Sequence, residues 1–212
     1  MNTCYIACAL PCKIDISYDE TDLLIGADKG YFNFLENSIT PHVAMGDFDS
    51  YTGEILCENT IKYPVKKDFT DSALAIEYAI SKGYRKIIVF GGIGGALDHT
   101  VANIALVASY TEKGIDIAFV HEENILFAVS NSKIAFDENA KGRISVFSYG
   151  DKSSGVNEKG LLYSLDDYTL ENLTPLGVSN EFINEKSEIS VSCGTLLVYT
   201  SKENYFSHLT RE

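Results

Sequence analysis

The feature that most constrains this chain is a change of period along it. Up to about residue 122, short β-branched runs alternate with helical patterns; beyond it the helical period is gone. Tyr5–Ala9, Leu23–Gly26, His42–Met45, Ile61–Pro64, Lys86–Phe90 and Asp116–Val120 read as strands. Between them Gly30–Glu36, Thr52–Glu58, Asp71–Lys82 and Leu97–Lys113 read as helices. Such alternation predicts βαβ units, and so a mostly parallel α/β/α domain over 1–122. In the last helix Val101, Ile104, Ala105 and Ala108 fall at helical spacing and predict its buried stripe. Over 123–212 the runs Ile125–Val129, Arg143–Ser148, Leu161–Ser164, Glu188–Ser192 and Thr195–Thr200 read as strands. Asn131-Ser132, Ser154-Gly155 and Cys193-Gly194 read as the turns between them. The second domain is therefore expected to be all-β, a β-sandwich.

Charge narrows the partners. Lys+Arg is 17 against Asp+Glu 30, a net charge of −13, which argues against nucleic acid and against an anionic membrane surface. An acidic chain still holds a polyphosphate if backbone amides, a few placed cations or a metal ion stand between the two negative partners. No apolar run is long enough to span a bilayer. Met1–Leu10 is apolar but lacks a basic flank, so it reads as a first strand rather than a leader. The 5 cysteines, an odd number without paired spacing, fit a reducing cytoplasm with thiols as core filler. The Cys4, Cys8 and Cys12 spacing does not converge thiols on a strand and its turn, so no metal is expected there.

In an open parallel sheet a ligand binds beyond the carboxyl ends of the strands, where strand order reverses. The residues that follow the strands are therefore the informative ones. They are Ala27-Asp28-Lys29-Gly30, Gly46-Asp47-Phe48-Asp49-Ser50, Lys66-Lys67-Asp68-Phe69-Thr70-Asp71 and the run Gly91, Gly92, Gly94, Gly95, Ala96, Leu97, Asp98, His99. Each exit carries an Asp. On an extended segment Asp47 and Asp49 point the same way while Phe48 faces the core, an arrangement that suits a shared hard cation. The same residues are also ordinary turn formers. Asp71 and Asp98 open predicted helices, where a carboxylate complements the helix dipole even without a ligand. The Gly91–Gly95 run ends a strand and opens a helix, which suits an anion on backbone N–H groups, and it equally suits a tight turn. It is not a P-loop, since no Gly-Lys-Ser/Thr follows, nor a dinucleotide fingerprint, since Leu97 stands where a third Gly is required. His99 and Asn103 lie on one face of the following helix, toward the loop end, and Lys66 and Lys67 are candidate phosphate partners. In the β domain Ser179-Asn180-Glu181 and Tyr163 are candidate recognition groups: Asn for a heterocycle edge, Tyr as a platform for a flat cation. Both also serve as plain turn and core residues.

Taken together and in this order, these motifs resemble the thiamine pyrophosphokinase family over about residues 23–200. The carriers are Ala27-Asp28-x-Gly30, Gly46-Asp47-Phe48-Asp49-Ser50, Lys67-Asp68-x-Thr70-Asp71, Gly91–Gly95 with Asp98-His99-x-x-x-Asn103, and Ser179-Asn180-Glu181. The resemblance implies an α/β ATP-binding catalytic domain followed by a β-sandwich that binds thiamine and dimerises. It implies a cytoplasmic homodimer with active sites between subunits, transferring pyrophosphate from ATP to thiamine with Mg²⁺. Carried over by position, Asp47, Asp49, Asp71 and Asp98 form the metal–triphosphate site, with Asp71 and Asp98 the candidates for the proton acceptor. Asp28, Gly30, Ser50, Lys67, Gly91, Gly92, Gly94, Gly95, His99 and Asn103 attend the nucleotide, and Tyr163, Ser179 and Asn180 the thiamine. The chain departs from the family at Ala96, where an Arg is common, and at Lys29, where a Gly is common. The same acidic site would serve another heterocyclic alcohol such as a pterin, and a binding protein that lost the donor site is the non-enzymatic alternative.

Overall fold

The computed structural model describes residues 2–48, 55, 57, 59–63 and 69–211. The chain divides into two compact units, Met1–Leu106 with Gly114–Glu122, and Val107–Lys113 with Glu123–Glu212. It is a mixed, sheet-rich α/β fold with few helices.

The first unit carries β1 (Thr3–Ala7), β2 (Leu23–Ala27), α1 (Gly30–Glu36), β3 (Val43–Gly46), β4 (Asn59–Lys62), α2 (Asp71–Ser81), β5 (Lys86–Phe90), the start of α3 (Leu97–Glu112) and β6 (Asp116–His121). All of its described strand pairs are parallel, in the order β6-β5-β1-β2-β3-β4. The chain winds outward from β1 to β4, then returns to lay β5 on the other side of β1. The switch point is therefore the β1/β5 boundary, where a crevice opens at the carboxyl ends of the strands. Strands covered on both faces read as continuous apolar runs, and Ile6, Ile25, Ile87, Ile88 and Val89 are fully buried. The predicted helix Thr52–Glu58 lies largely outside the described residues, and its described members Ile55 and Cys57 are not helical.

Helix α3 buries Ala108 of its expected stripe and departs from it at Val101. Val101, placed in the core stripe, is 59% exposed, whereas Asn103, Val107 and Tyr110 are buried at i, i+4 and i+7. The inward face is chosen by where Asn103 finds hydrogen-bond partners, a term that hydropathy does not contain.

The second unit is antiparallel. Its strands are β7 (Asn124–Ser130), β8 (Lys133–Phe136), β9 (Arg143–Lys159), β10 (Leu165–Glu171), β11 (Asn180–Glu181), β12 (Ser187–Ser190), β13 (Cys193–Ser201) and β14 (Leu209–Arg211). The order is β14-β8-β12-β9-β13-β7, with β10 and β11 also on β9. Residues 144–149 of β9, and Ser154, pair with β13, while its far half pairs with β10 and β12. Ser154-Gly155, expected as a turn, lies inside this long strand: Gly155 has φ +64 and accommodates the bend without ending the strand. Leu161–Ser164 is not a strand either. Leu161 makes one isolated bridge to Phe182, and the strand begins at Leu165 instead. The reason is local, because the side chain of Asn180 occupies both backbone groups of Tyr163 that a ladder would need.

Candidate functional site

A cavity of about 290 Å³ opens at the β1/β5 switch point. Its walls are the segment after β1 (Cys8, Ala9, Leu10), Ala27 and Asp28 after β2, the start of α2 (Thr70, Asp71, Ser72), and Gly91, Gly92, Gly95, Ala96, His99, Thr100 and Asn103. The walls are built by specific contacts. Asn33, buried among the aromatics of α1, donates from Nδ2 to Cys8 O at 2.6 Å and to Leu10 O at 2.7 Å. The same segment reaches β5 through Cys8 N to Phe90 O at 2.8 Å and Leu10 N to Gly91 O at 3.1 Å. Gly91 sits at φ +64, and a Cβ there would lie 2.3 Å from Leu10 O, so only glycine lets the two strand exits approach this closely. Gly30 serves packing rather than a ligand: its Cβ would fall on the carbonyl of Ala7, where α1 meets the end of β1.

A hydrogen-bond chain joins the helix starts to the glycine loop. Thr70 caps α2, its Oγ1 accepting from Ala73 N at 3.2 Å, and it lies 3.0 Å from Ser72 Oγ. Ser72 Oγ donates to Asn103 Oδ1 at 2.8 Å, and Asn103 Nδ2 donates to Gly92 O at 2.5 Å. Asn103 therefore faces the loop end as its position after His99 suggested, but it holds the loop's backbone. Ser72 and Asn33 had no signal of their own beyond being polar residues in apolar surroundings.

The carboxylates divide. Asp28 and Asp71 line the cavity. Asp28 is held at φ 52, with its N–H donated to Met45 O at 2.6 Å. Burial raises its pKa first of all, and the charges of Asp71 and Asp47 raise it further, against a lowering backbone bond from Lys29. Asp47 and Asp71 are thus each within electrostatic reach of Asp28. Phe48 packs against Tyr31 and Ala44 as expected, yet its φ of 53 interrupts the extended geometry on which the paired direction of Asp47 and Asp49 rested. Asp49, Ser50, Lys66, Lys67 and Asp68 lie outside the described residues. Asp98 is exposed in the first turn of α3, accepts from His99 N at 2.8 Å and is not part of the cavity wall, whereas His99 is. Gly94, also outside the wall, rests against His121 of β6, a neighbour that sequence spacing did not single out. Among the described residues, no three His, Cys, Asp or Glu side chains close into a metal cage. That donor set does not suit an all-protein site, but it fits Mg²⁺, which takes one or two carboxylates and keeps its remaining positions for water and phosphate.

In the antiparallel unit Tyr163 is 67% exposed and Ser179 is exposed with φ 59, its N–H donated to Ser145 Oγ at 3.0 Å. Asn180 lies buried beside them. Its Oδ1 accepts from Tyr163 N and Glu181 N, and its Nδ2 donates to Tyr163 O and Glu158 Oε2. Every hydrogen-bonding position of this amide is taken within the chain, which leaves none for the edge of a heterocycle.

An open parallel sheet with a glycine- and acid-walled crevice at its switch point, followed by an antiparallel unit, defines a protein of the α/β-plus-β class. Two family models match in succession: thiamin pyrophosphokinase, catalytic domain, over residues 15–119, and thiamin pyrophosphokinase, vitamin B1 binding domain, over 131–198. A thiamine pyrophosphokinase of Bacillus subtilis (strain 168) is 32% identical over 193 residues, covering 87% of this chain and 90% of the relative. The crystal structure of thiamine pyrophosphokinase from Bacillus subtilis superposes with a TM-score of 0.85 at 27% identity, covering 94% of this chain and 99% of that one. A thiamin pyrophosphokinase family protein from Enterococcus faecalis gives a TM-score of 0.82 at 25% identity, covering 95% and 99%. The chain belongs to the thiamine pyrophosphokinase family.

Proposed function

We propose that this chain transfers pyrophosphate from ATP to the hydroxyethyl group of thiamine, giving thiamine diphosphate and AMP. The observation that carries the reading is the glycine- and carboxylate-walled crevice at the β1/β5 switch, in a chain matched by both a catalytic and a vitamin B1 binding model. In this reading residues 1–122 form the α/β/α ATP-binding catalytic domain, and 123–212 a β-sandwich that takes thiamine and pairs as a homodimer with active sites between subunits. Exposed Leu162, Leu176 and Val178 on the antiparallel unit supply apolar surface for a second copy.

The chemistry follows from the residues. For a chain of net charge −13, a triphosphate needs backbone amides, placed cations or a metal ion between the two negative partners. In this reading the amides come from the Gly91–Gly95 loop and the start of α3, Gly94 excepted because its N–H is donated to Thr100 Oγ1, with His99 alongside. Mg²⁺ would be held by one or two carboxylates of the set Asp47, Asp49, Asp71 and Asp98, the others acting through its waters, and when bound it neutralises phosphate charge. The thiamine hydroxyl attacks the β-phosphorus in line, the new O–P bond forms as the bond to the α,β-bridging oxygen breaks, and AMP leaves with that oxygen. Asp71, in the cavity wall, accepts the hydroxyl proton more directly than the exposed Asp98. Tyr163 offers its ring to the flat cationic acceptor, and Ser179, also exposed, offers its hydroxyl. Incubation with ATP, Mg²⁺ and thiamine should yield AMP and thiamine diphosphate in equal amounts. Release of ADP, or no transfer to thiamine, overturns the reading.

A further inference from the structure

The strongest unexplained group in the molecule is a buried carboxyl far along the sequence from the acidic crevice. Glu158, in β9, is 1% exposed. Its Oε2 accepts from Asn180 Nδ2 at 2.9 Å, and its Oε1 is buried with no hydrogen-bond partner. Desolvating a carboxyl is costly, and an isolated buried oxygen adds to the cost. Burial accordingly raises its pKa, opposed only by the Asn180 bond. The carboxyl thus keeps a buried place for a single contact, and that contact leads to Tyr163.

Asn180, 5% exposed, grips Tyr163 at two points: Oδ1 accepts the Tyr163 N–H at 3.0 Å and Nδ2 donates to Tyr163 O at 2.7 Å. The orientation of the amide is unambiguous, because a flip would set its NH₂ against the N–H groups of Tyr163 and Glu181 and its oxygen against a carboxylate and a carbonyl. Leu162 N adds a bond to Glu181 O at 2.9 Å. The 160–163 turn is therefore hooked onto Asn180, Asn180 is anchored to β9 by Glu158, and the Tyr163 ring stands in solvent. Resting on the reading of this chain as a thiamine-binding enzyme, we propose that Glu158 and Asn180 are positioning residues for the acceptor. They fix the backbone of Tyr163, and with it the exposed ring, and do not touch the ligand.

The test uses the absence of Trp from the chain. Tyr163→Trp places a single indole at the site, so thiamine quenches its emission whether or not turnover occurs. Loss of a hydrogen bond to a charged group corresponds to roughly tenfold or more in binding. In the Tyr163→Trp background, Asn180→Asp, which keeps the acceptor oxygens and loses the donors, should weaken thiamine quenching about tenfold and shift the emission of the free protein. With Tyr163 intact, Asn180→Asp and Glu158→Leu should raise the thiamine KM by a similar factor and leave the ATP KM within twofold. Glu158→Gln retains an acceptor for Asn180 and should stay within about threefold of wild type. If Glu158→Leu does not fold, Asn180→Asp and Glu158→Gln decide the matter alone. Unchanged thiamine quenching in Asn180→Asp overturns the proposal, as does a Glu158→Gln defect equal to that of Asn180→Asp. Failure of the wild type to make thiamine diphosphate while thiamine still quenches the indole would instead overturn the catalytic reading and leave this one standing.

Discussion

Ser72 Oγ donates to Asn103 Oδ1 at 2.8 Å, and both side chains are buried. This one bond ties the first turn of α2 to α3, and through Asn103 Nδ2 it reaches the carbonyl of Gly92. Replacing Asn103 with Leu keeps the volume and removes both bonds, leaving the buried Gly92 carbonyl without that donor and the buried Ser72 hydroxyl with Thr70 Oγ1 alone. The expected cost is about 1–3 kcal/mol. A lowered urea midpoint with an unchanged m-value, together with an ATP KM raised more than the thiamine KM, is the expected result.

Glycines on and off the site should separate cleanly. Gly83 has φ +93 and nothing within 4 Å of a would-be Cβ, so Gly83→Ala pays only the left-handed backbone term, about 1–2 kcal/mol. Gly91→Ala adds a collision with Leu10 O and should cost clearly more while widening the crevice. Thermal unfolding of the two variants side by side checks the difference.

The pKa of Asp28 gives a pH signature. Its folded value is raised by burial and by Asp71 and Asp47, so the native state binds more protons than the unfolded chain over the window between the ordinary Asp value and the raised one. Its contribution is stabilising at low pH and is lost as pH rises through that window. Asp28→Asn should therefore flatten the decline and stabilise the protein at neutral pH while lowering activity. Denaturant midpoints taken across a pH series measure this.

Asp71 and Asp98 are distinguished by position. Asp71→Asn should lower kcat by about two orders of magnitude or more, the usual contribution of a positioned proton acceptor. Asp98→Asn, at an exposed site outside the cavity wall, should act mainly on the ATP KM. Steady-state kinetics with each substrate varied in turn separates the two.

Ala96 lines the cavity yet is exposed, at a position where the resemblance leads one to expect Arg. A guanidinium here would reach phosphate bidentately without being buried. Ala96→Arg should lower the ATP KM about three- to tenfold and steepen its dependence on salt.

Much of this fold is legible as pattern. Lys86–Phe90 and Gly30–Glu36 are found as read, because continuous apolar runs and helical spacing are short-range signals that each strand and helix carries for itself. The polar strand Leu165–Glu171 is missed, since its pairing with β9 rather than its hydropathy makes it a strand. The cavity wall is legible in part, as Asp28, Asp71, Gly91, Gly92 and Gly95 at strand exits, because an open parallel sheet places all its carboxyl ends at one edge.

The sequence by itself determined the two-part alternation, the acidic character that calls for amides, placed cations or a metal ion beside a polyphosphate, and the motifs that mark the family. The tertiary structure decided which groups meet: that Asp28 and Asp71 share a wall while Asp98 stands outside it, that Asn103 turns inward to Ser72 and Gly92 while Val101 turns out, and that Glu158 holds Asn180. The physical reason is range. Periodicity is settled within a few residues along the chain, whereas a buried polar group is placed by partners tens of residues away whose positions exist only once the sheets are assembled.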